Sequence, residues 1–246
     1  MMDGQQDASS ERTPPMIWFT ADTHFGHSNI LGGDQRPFDS IEQMNARLIA
    51  AINDRVSCRD TLYVLGDFSY RTTVVEALRL RERINCEHVR LIRGNHDKDW
   101  GLLEPPARDG GGKGRGGAKK AGGSKARAVS VGSGGAVSVP EPGPFEAVLD
   151  YLELKPGECH GTRMVLSHYP MLSWNGKRRG SIQLHGHIHA GAAYNERNRR
   201  RGILRYDVGV DANGYAPVSR DEILDFFRGI EPAQLGFAQD EAGVDV

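Results

Sequence analysis

The chain has 246 residues and a formal net charge of −1, and a chain of this length can bury one substantial core. The near-neutral charge excludes a global field that would draw the whole protein to nucleic acid or to a membrane. Three scattered cysteines argue against a disulfide framework or a cysteine-based zinc site. Because no apolar run reaches the roughly 18–20 residues that span a bilayer, and the first fifteen residues lack a signal-peptide pattern, we expect a cytoplasmic protein.

The first half of the chain contains three apolar runs, and each ends in residues able to ligate a metal. The runs are Met16–Thr20, Thr61–Leu65 and Val89–Ile92, and they lead into Asp22 and His24, into Asp67, and into Asn95 and His96, respectively. Short runs rich in β-branched and aromatic residues are typical of buried strands. Each polar set is by itself compatible with an ordinary turn or a helix cap. Their recurrence at three strand ends favours a site.

Two helices are predicted between these strands, after a leader over residues 1–15 that we expect to be disordered. Ser40 caps the first helix, in which Met44, Leu48 and Ile52 recur at helical spacing, and the second runs from about Thr73 to Ile84. Strands that alternate with helices predict βαβ units, in which the carboxyl ends of the strands meet at one edge of a sheet.

The composition changes abruptly between about residues 105 and 144. Gly, Ala, Ser and Pro dominate there, and six basic side chains lie between positions 113 and 127 with almost no acid. Such a segment buries too little apolar surface to offset the entropy of ordering it. We therefore predict a flexible insertion, either a solvated linker or an arm that holds phosphate or nucleic acid.

The second half of the chain contains further predicted strands and a final helix. The strand regions are 145–154, 162–166, 181–184 and 203–210, and the helix begins at a capping box formed by Ser219 and Glu222. His168, His187 and His189 follow the second and third of these regions. Since no helix is recognisable between them, we expect hairpins and antiparallel pairing. One domain would span residues 16–230, and residues 231–246 would form a loose tail.

Five strand ends together present carboxylate, imidazole and amide donors, without a thiolate. This mixture suits Mn, Fe, Zn or a similar ion better than a structural zinc site. Two such ions about 3.5–4 Å apart need a shared ligand. Asp67 is the natural candidate for this bridge, because it stands alone at its strand end.

These motifs resemble the ordered signature of the calcineurin-like metallophosphoesterases. The matching elements are Asp22-x-His24, Gly66-Asp67, Gly94-Asn95-His96-Asp97, His168 and Gly186-His187-x-His189. They span residues from about 17 to 211, and Arg36-Pro37-Phe38 adds a likeness to small bacterial and phage members. The resemblance implies an α/β fold, namely a four-layer α/β/β/α sandwich of two mixed β-sheets flanked by helices, with a dinuclear site at the strand ends.

The resemblance also implies roles for the matching residues. One ion would take Asp22, His24, Asp67 and His189, and the other would take Asp67, Asn95, His168 and His187. His96 would face the substrate as a catalytic residue, with Asp97 either orienting it or serving as a turn residue. His27 and Arg36 are candidate phosphate contacts, and Asn95 and His96 are further candidate substrate contacts.

Four other residues near or outside the signature need an interpretation. His185 is predicted to pack beneath the site, and Asp207 to hydrogen-bond a ligand histidine. His88 and His160 lie outside the signature and receive no role.

The implied activity is hydrolysis of phosphate esters by a hydroxide that bridges two divalent ions, with His96 assisting the leaving group. A phosphodiester of nucleotide or nucleic-acid type is the favoured substrate. The alternatives are a phosphomonoesterase such as a protein Ser/Thr phosphatase, and a non-catalytic metal-binding scaffold. Manganese is favoured among Mn, Fe, Zn, Ni and Mg. No obligate protein partner is evident, and the oligomeric state stays open.

Overall fold

The computed structural model describes residues 14–32, 36–97, 100 and 144–233. Most of the expected leader, the basic insertion and the tail lie outside the described residues. The strands are β1 (Ile17–Thr20), β2 (Thr61–Val64), β3 (His88–Ile92), β4 (Ala147–Leu149), β5 (Leu152–Leu154), β6 (Met164–Leu166), β7 (Ile182–His185), β8 (Arg205–Asp207) and β9 (Val218–Ser219). The α-helices are α1 (Ile41–Arg55), α2 (Val74–Glu82), α3 (Ala193–Arg200) and α4 (Arg220–Phe226). None of the helices in the described ranges is long and apolar enough to cross a bilayer.

The first sheet is built from the predicted βαβ units. Its strand order is β4-β3-β2-β1-β9, and β1, β2, β3 and β4 run parallel while β9 is antiparallel to β1. Helix α1 connects β1 to β2, and α2 connects β2 to β3. The carboxyl ends of β1, β2 and β3 therefore meet at one edge, as the alternation of strands and helices predicts.

The second sheet differs from the sequence prediction. Its order is β5-β6-β7-β8, with β6, β7 and β8 parallel and only β5 antiparallel. The predicted antiparallel pairing is therefore confirmed for β5 and β6 but wrong for β6, β7 and β8, and the β7–β8 connection contains α3, a helix without an apolar stripe. The predicted strand region 145–154 divides into β4 in the first sheet and β5 in the second. The two mixed sheets with flanking helices confirm the predicted α/β class and layering.

Both faces of the first sheet are buried, which explains its continuous apolar runs. Successive side chains of a strand point to opposite faces. Leu62 and Val64 accordingly join an outer cluster with α1, while Tyr63 and Leu65 join the cluster between the sheets. The outer cluster includes Met44, Leu48 and Ile52, and the inner cluster includes Met164, Leu166, Ile182 and Leu184. The inner cluster packs the sheets together directly beneath the edge that carries the predicted ligands.

Helix starts follow the capping signals in the sequence. Ser40 accepts a hydrogen bond from a first-turn backbone N–H of α1, and Ser219 forms the predicted capping box with Glu222 at the start of α4. A second capping box, between Thr73 and Glu76, starts α2. These side chains satisfy N–H groups that have no partner within the helix.

Candidate metal centre

The predicted ligands sit on strained backbone where the strands end. Five of them have a positive φ, namely Asp22 (55°), His24 (46°), Asp67 (53°), His187 (75°) and His189 (47°). Residues with a Cβ avoid this region, and each such residue costs of order 1–3 kcal/mol unless the surroundings impose it. Five costly conformations at one edge therefore indicate that the chain holds these side chains in place for a purpose other than stability.

A first group of donors converges around His24 and His189. Ligand-capable atoms of Asp22, His24 and His189 lie within 4.8 Å of one another. The Nε2 atoms of the two histidines are 3.1 Å apart. Two donors that bind one ion at about 2.1 Å, and at about a right angle, are about 3 Å apart. The observed spacing thus fits two nitrogens that share a cation.

A second group of donors converges around His168. Atoms of Asp22, Asp67 and His168 also lie within 4.8 Å of one another, and His168 Nε2 is 2.9 Å from Asn95 Oδ1. The ring centroid of His187 lies 5.0 Å from that of His168. The His187 backbone N–H donates to both carboxylate oxygens of Asp22, at 3.1 and 2.9 Å. The second group thus adjoins the first through the carboxylates.

Asp67 lies between the two groups. Its Oδ2 is 3.4 Å from His24 Nε2 and 3.6 Å from His168 Nε2, and its Oδ1 accepts the backbone N–H of His96 at 2.8 Å. Asp22 belongs to both groups as well. Of these two carboxylates, Asp67 has one oxygen within 4 Å of a histidine from each group, which is the position that a bridging ligand requires.

The electrostatics of the site suit cations. Burial raises the pKa of Asp22 well above its usual value, and the nearby carboxylates of Asp207 and Asp67 raise it further. Burial lowers the pKa of His24 and His187, which keeps their imidazoles neutral and able to ligate. Burial also acts to raise the pKa of Asp67, but a hydrogen bond from His24 and other favourable contacts hold it at about 2. Crowded carboxylates beside neutral imidazoles fit two divalent ions.

Gly94 permits the close approach of β3 to Asp67. A Cβ at this position would lie 2.3 Å from Asp67 Oδ1 and 2.6 Å from the Asp67 backbone nitrogen. Both distances are shorter than any van der Waals contact, so the side chain that lies between the two groups would have to shift. The site therefore has a spacing requirement at this position of the Gly-Asn-His motif, where only glycine leaves room for the Asp67 side chain.

We expect Gly94→Ala to lower the free energy of unfolding by about 1–3 kcal/mol, the usual cost of overpacking, and to weaken metal binding. Chemical denaturation and metal titration would measure the two effects. Gly191→Ala is the matched control, because Gly191 follows His189 closely in sequence and a Cβ there meets no atom within 4 Å. Equal behaviour of the two variants would contradict the spacing requirement.

His96 and His27 lie on the same side of the centre as His24. The ring centroid of His96 is 5.6 Å from that of His24 and 4.5 Å from that of Tyr70. The His27 ring is 4.1 Å from Tyr70 and 5.2 Å from His24. Burial is the main cause that lowers the pKa of His27 to about 4, so this side chain is neutral near pH 7. A substrate contact by either histidine stays a prediction.

Arg36 does not face the site. It is 2% exposed, and its five N–H donors are all directed at protein atoms. Two reach the Asp211 carboxylate at 2.8 Å each, two reach the backbone carbonyls of Asp22 and Thr23, and one reaches Met44 Sδ. The prediction that Arg36 contacts phosphate is therefore wrong, since no donor is left for a substrate.

Asp97 braces the backbone around Asp67. Its carboxylate accepts N–H groups of Asp67, Phe68 and Gly94 at 2.8, 2.9 and 2.8 Å. This replaces the prediction that Asp97 orients His96, and it corresponds to the alternative role as a turn residue. The carboxylate thus stabilises the conformation of two strand-end loops, because it accepts three hydrogen bonds from their backbone N–H groups.

The carboxylate that hydrogen-bonds a predicted ligand histidine, on the side away from the ion, is that of Asp211. The sequence prediction gave this role to Asp207. His189 Nδ1 lies 2.8 Å from Asp211 Oδ2. Asp207 instead accepts the N–H of Gly209 at 2.7 Å. Asp207 is the last residue of β8 and Asp211 lies four positions later, and nothing in the sequence pattern distinguishes them. His185 is fully buried, as predicted.

Comparison with known proteins adds independent information. The family model of calcineurin-like phosphoesterases matches residues 15–191. The chain is 31% identical to the Gene 66 protein of Mycobacterium phage L5 over 230 residues, which cover 87% of this chain and 94% of the phage protein. It is 43% identical to the uncharacterized protein MJ1445 of Methanocaldococcus jannaschii over 83 residues, which cover 33% of this chain and 47% of the archaeal protein. The chain thus spans about half the length of that relative.

A solved structure shares the fold. The protein of unknown function AQ665 from Aquifex aeolicus superposes with a TM-score of 0.54 at 23% identity, covering 86% of this chain and 99% of that protein. The family match begins before β1 and extends through His189, so it includes every strand end that carries a predicted ligand. This chain belongs to the calcineurin-like phosphoesterase family.

Proposed function

We propose that this protein hydrolyses phosphodiesters with two divalent ions held at the candidate metal centre. Membership of the family supports a metal-dependent phosphoesterase. The observation that carries the proposal is the convergence of two donor groups, with the Asp67 carboxylate between them. The first ion would be held by Asp22, His24, Asp67 and His189, and the second by Asp67, Asn95, His168 and His187. Manganese is our first choice, because a mixture of carboxylate, imidazole and amide donors suits it.

Ions of this kind lower the pKa of a bound water and polarise phosphoryl oxygens. The residues of the chain supply the remaining steps. His96 is half-exposed at the rim, where it would donate a hydrogen bond or a proton to the leaving oxygen. The hydrogen bond from the His96 backbone N–H to Asp67 fixes the backbone of His96 relative to the proposed bridging carboxylate. His27 and Asn95 would contact the substrate from the same rim.

A preference for diesters is supported by an exposed aromatic side chain beside the second group. The exposed large hydrophobic residues within the described ranges are Tyr151, Tyr169, Leu172 and Ile188. Tyr169 directly follows His168, and its ring centroid lies 4.7 Å from that of His187. An exposed aromatic ring beside convergent polar groups is typical of a ligand site. A diester carries two organic groups on phosphorus, and the one that does not leave would lie against the Tyr169 ring.

The same ring supports a nucleotide substrate. Stacking of a base on an aromatic side chain contributes about 1–3 kcal/mol, and Tyr169 is 49% exposed. The basic insertion, which also favoured a polyanionic substrate, lies outside the described residues.

We further propose that the protein works in the cytoplasm, because the chain carries three free cysteines, one of them exposed.

Hydrolysis of bis(p-nitrophenyl) phosphate and of p-nitrophenyl phosphate would test the function. We expect no turnover after chelation, recovery on adding Mn²⁺, and a kcat/KM at least about tenfold higher for the diester, which corresponds to about 1.4 kcal/mol. Tyr169→Ala should reduce this ratio, while Tyr169→Phe, which keeps the ring, should retain it. A higher kcat/KM for the monoester would favour the phosphomonoesterase alternative. Tight ion binding without turnover of either ester would favour the scaffold.

A further inference from the structure

The buried Arg36 guanidinium forms a unit with Asp211 at the first ion position. Arg36 Nε and Nη2 each lie 2.8 Å from one oxygen of the Asp211 carboxylate. This two-pronged arrangement is the strongest geometry available to an arginine and a carboxylate. The Arg36 side chain is 2% exposed and that of Asp211 is 17% exposed. A charged pair so sheltered holds one geometry, because neither partner can turn to water without leaving the other unpaired.

The unit acts on two parts of the first ion position. On one side, Asp211 Oδ2 is 2.8 Å from His189 Nδ1, which holds the proton on Nδ1 and leaves Nε2 free to face the ion. On the other side, Arg36 donates to the backbone carbonyls of Asp22 at 2.5 Å and Thr23 at 3.0 Å. These carbonyls belong to the loop that carries Asp22 and His24 on left-handed backbone.

The second ion position is supported differently. His168 directs its Nδ1 at the backbone carbonyl of Leu65, 2.8 Å away. No hydrogen bond or ion pair joins Arg36 or Asp211 to His168, Asn95 or the His187 side chain in the described part of the chain. The two positions therefore differ in what holds their histidines, namely a charged pair in one case and a backbone carbonyl in the other.

We propose that Arg36 and Asp211 are a positioning pair that sets the affinity of the first ion and leaves that of the second ion nearly unchanged. The inference rests on the proposed two-ion function. The pair touches neither substrate nor reacting atoms. It fixes the direction of the His189 lone pair and the shape of the Asp22–His24 loop. Removing the group that hydrogen-bonds the non-ligating nitrogen of a ligand histidine typically weakens metal binding by about 10–100-fold.

Ion binding to the purified full chain tests this inference without any measurement of turnover. Calorimetric titration with Mn²⁺ should give two ions per wild-type chain. Asp211→Asn should weaken one Kd by about 10–100-fold and change the other less than about twofold. With Co²⁺ as the probe, the spectrum of the single ion left on Asp211→Asn should match that of His189→Ala and differ from that of His168→Ala.

Arg36→Lys is the companion variant. Lysine keeps the charge but cannot reach two carboxylate oxygens and two carbonyls together, so the first Kd should weaken here too. Because the two residues act as a unit, the double variant should be no weaker in this Kd than the poorer single variant. Should Asp211→Asn fail to fold by circular dichroism, Arg36→Lys carries the same test.

The matched control is the ion pair between Arg90, on β3, and Glu146, which directly precedes β4. Its Nε–Oε2 distance is also 2.8 Å, but it contacts none of the predicted ligands. Arg90→Lys and Glu146→Gln should lower stability without altering either Kd. Equal weakening of both ions by Asp211→Asn, or no weakening, would overturn the positioning role. A wild-type chain that binds no ions would instead overturn the proposed function, so the two failures are distinguishable.

Discussion

Replacing Asp67 by alanine should reduce bound metal by about half or more and bring hydrolysis to background, because a two-ion site loses its shared ligand. Asp67 Oδ2 is 3.4 Å from His24 Nε2 and 3.6 Å from His168 Nε2, so both groups lose an oxygen at once. Elemental analysis after gel filtration would give the ions per chain, and bis(p-nitrophenyl) phosphate would report turnover.

The matched control for this change is Asp150→Ala. Asp150 lies directly after β4 at the same sheet edge and pairs with Arg93 at 2.7 Å, but it belongs to neither donor group. Its removal should leave two ions bound. An Asp67→Ala protein that still retains two tight ions would show that another carboxylate bridges, and Asp22, a member of both groups, would be the next candidate.

Replacing His96 by alanine should leave both ions bound and slow turnover by roughly 10²–10⁴-fold, the range for losing a positioned acid. The loss should be smaller for p-nitrophenolate, which leaves without protonation, than for an alkoxide leaving group. Steady-state rates over a series of leaving groups, together with metal analysis, would measure both effects.

His160→Ala is the control for His96, since the His160 side chain is 63% exposed and pairs only with Asp221 among the charged groups of the described chain. Its rates should equal those of the wild type. If His96→Ala slowed good and poor leaving groups equally, the acid role would be wrong and His96 would act through charge stabilisation alone.

The first sheet could be predicted from the sequence because local signals there agree. Apolar runs, the Ser40 cap and the helical spacing of Met44, Leu48 and Ile52 all indicate the same βαβ order. The positions of the predicted ligands followed from that order, since parallel strands bring their carboxyl ends to one edge. The local sequence pattern was therefore sufficient to predict this sheet, because the spacing of its apolar residues matches their burial.

Helix α3 could not be predicted in this way, because its stability comes from polar contacts. Its sequence is largely Asn, Glu and Arg, so it lacks the apolar stripe by which a helix is recognised. Asn195 exchanges two hydrogen bonds with the backbone of Asp207, and Asn198 donates to the carbonyl of Arg205. The helix thus docks on β8 through side-chain amides, and missing it led to the wrong prediction that β7 and β8 pair antiparallel.

Arg36 illustrates a second limit of the sequence. A basic residue after a ligand motif suggests a phosphate contact, but its partner Asp211 lies 175 positions away. Only the packing of the two sheets brings them together. The role of Asp97 was open for a similar reason, because two of its three acceptor contacts involve the loop around Asp67. Pairings across the fold decide such roles, and a linear pattern does not contain them.

The centre draws donors from both sheets, and this has a consequence for the lifetime of the folded chain. The His187 backbone N–H already donates to the carboxylate of Asp22, 165 positions away. An ion held across this seam would act as a reversible cross-link that opposes separation of the sheets. A ligand at 100 times its Kd adds about 2.7 kcal/mol to the stability of the native state. Metal supply would thereby govern how long the protein survives heat or proteases.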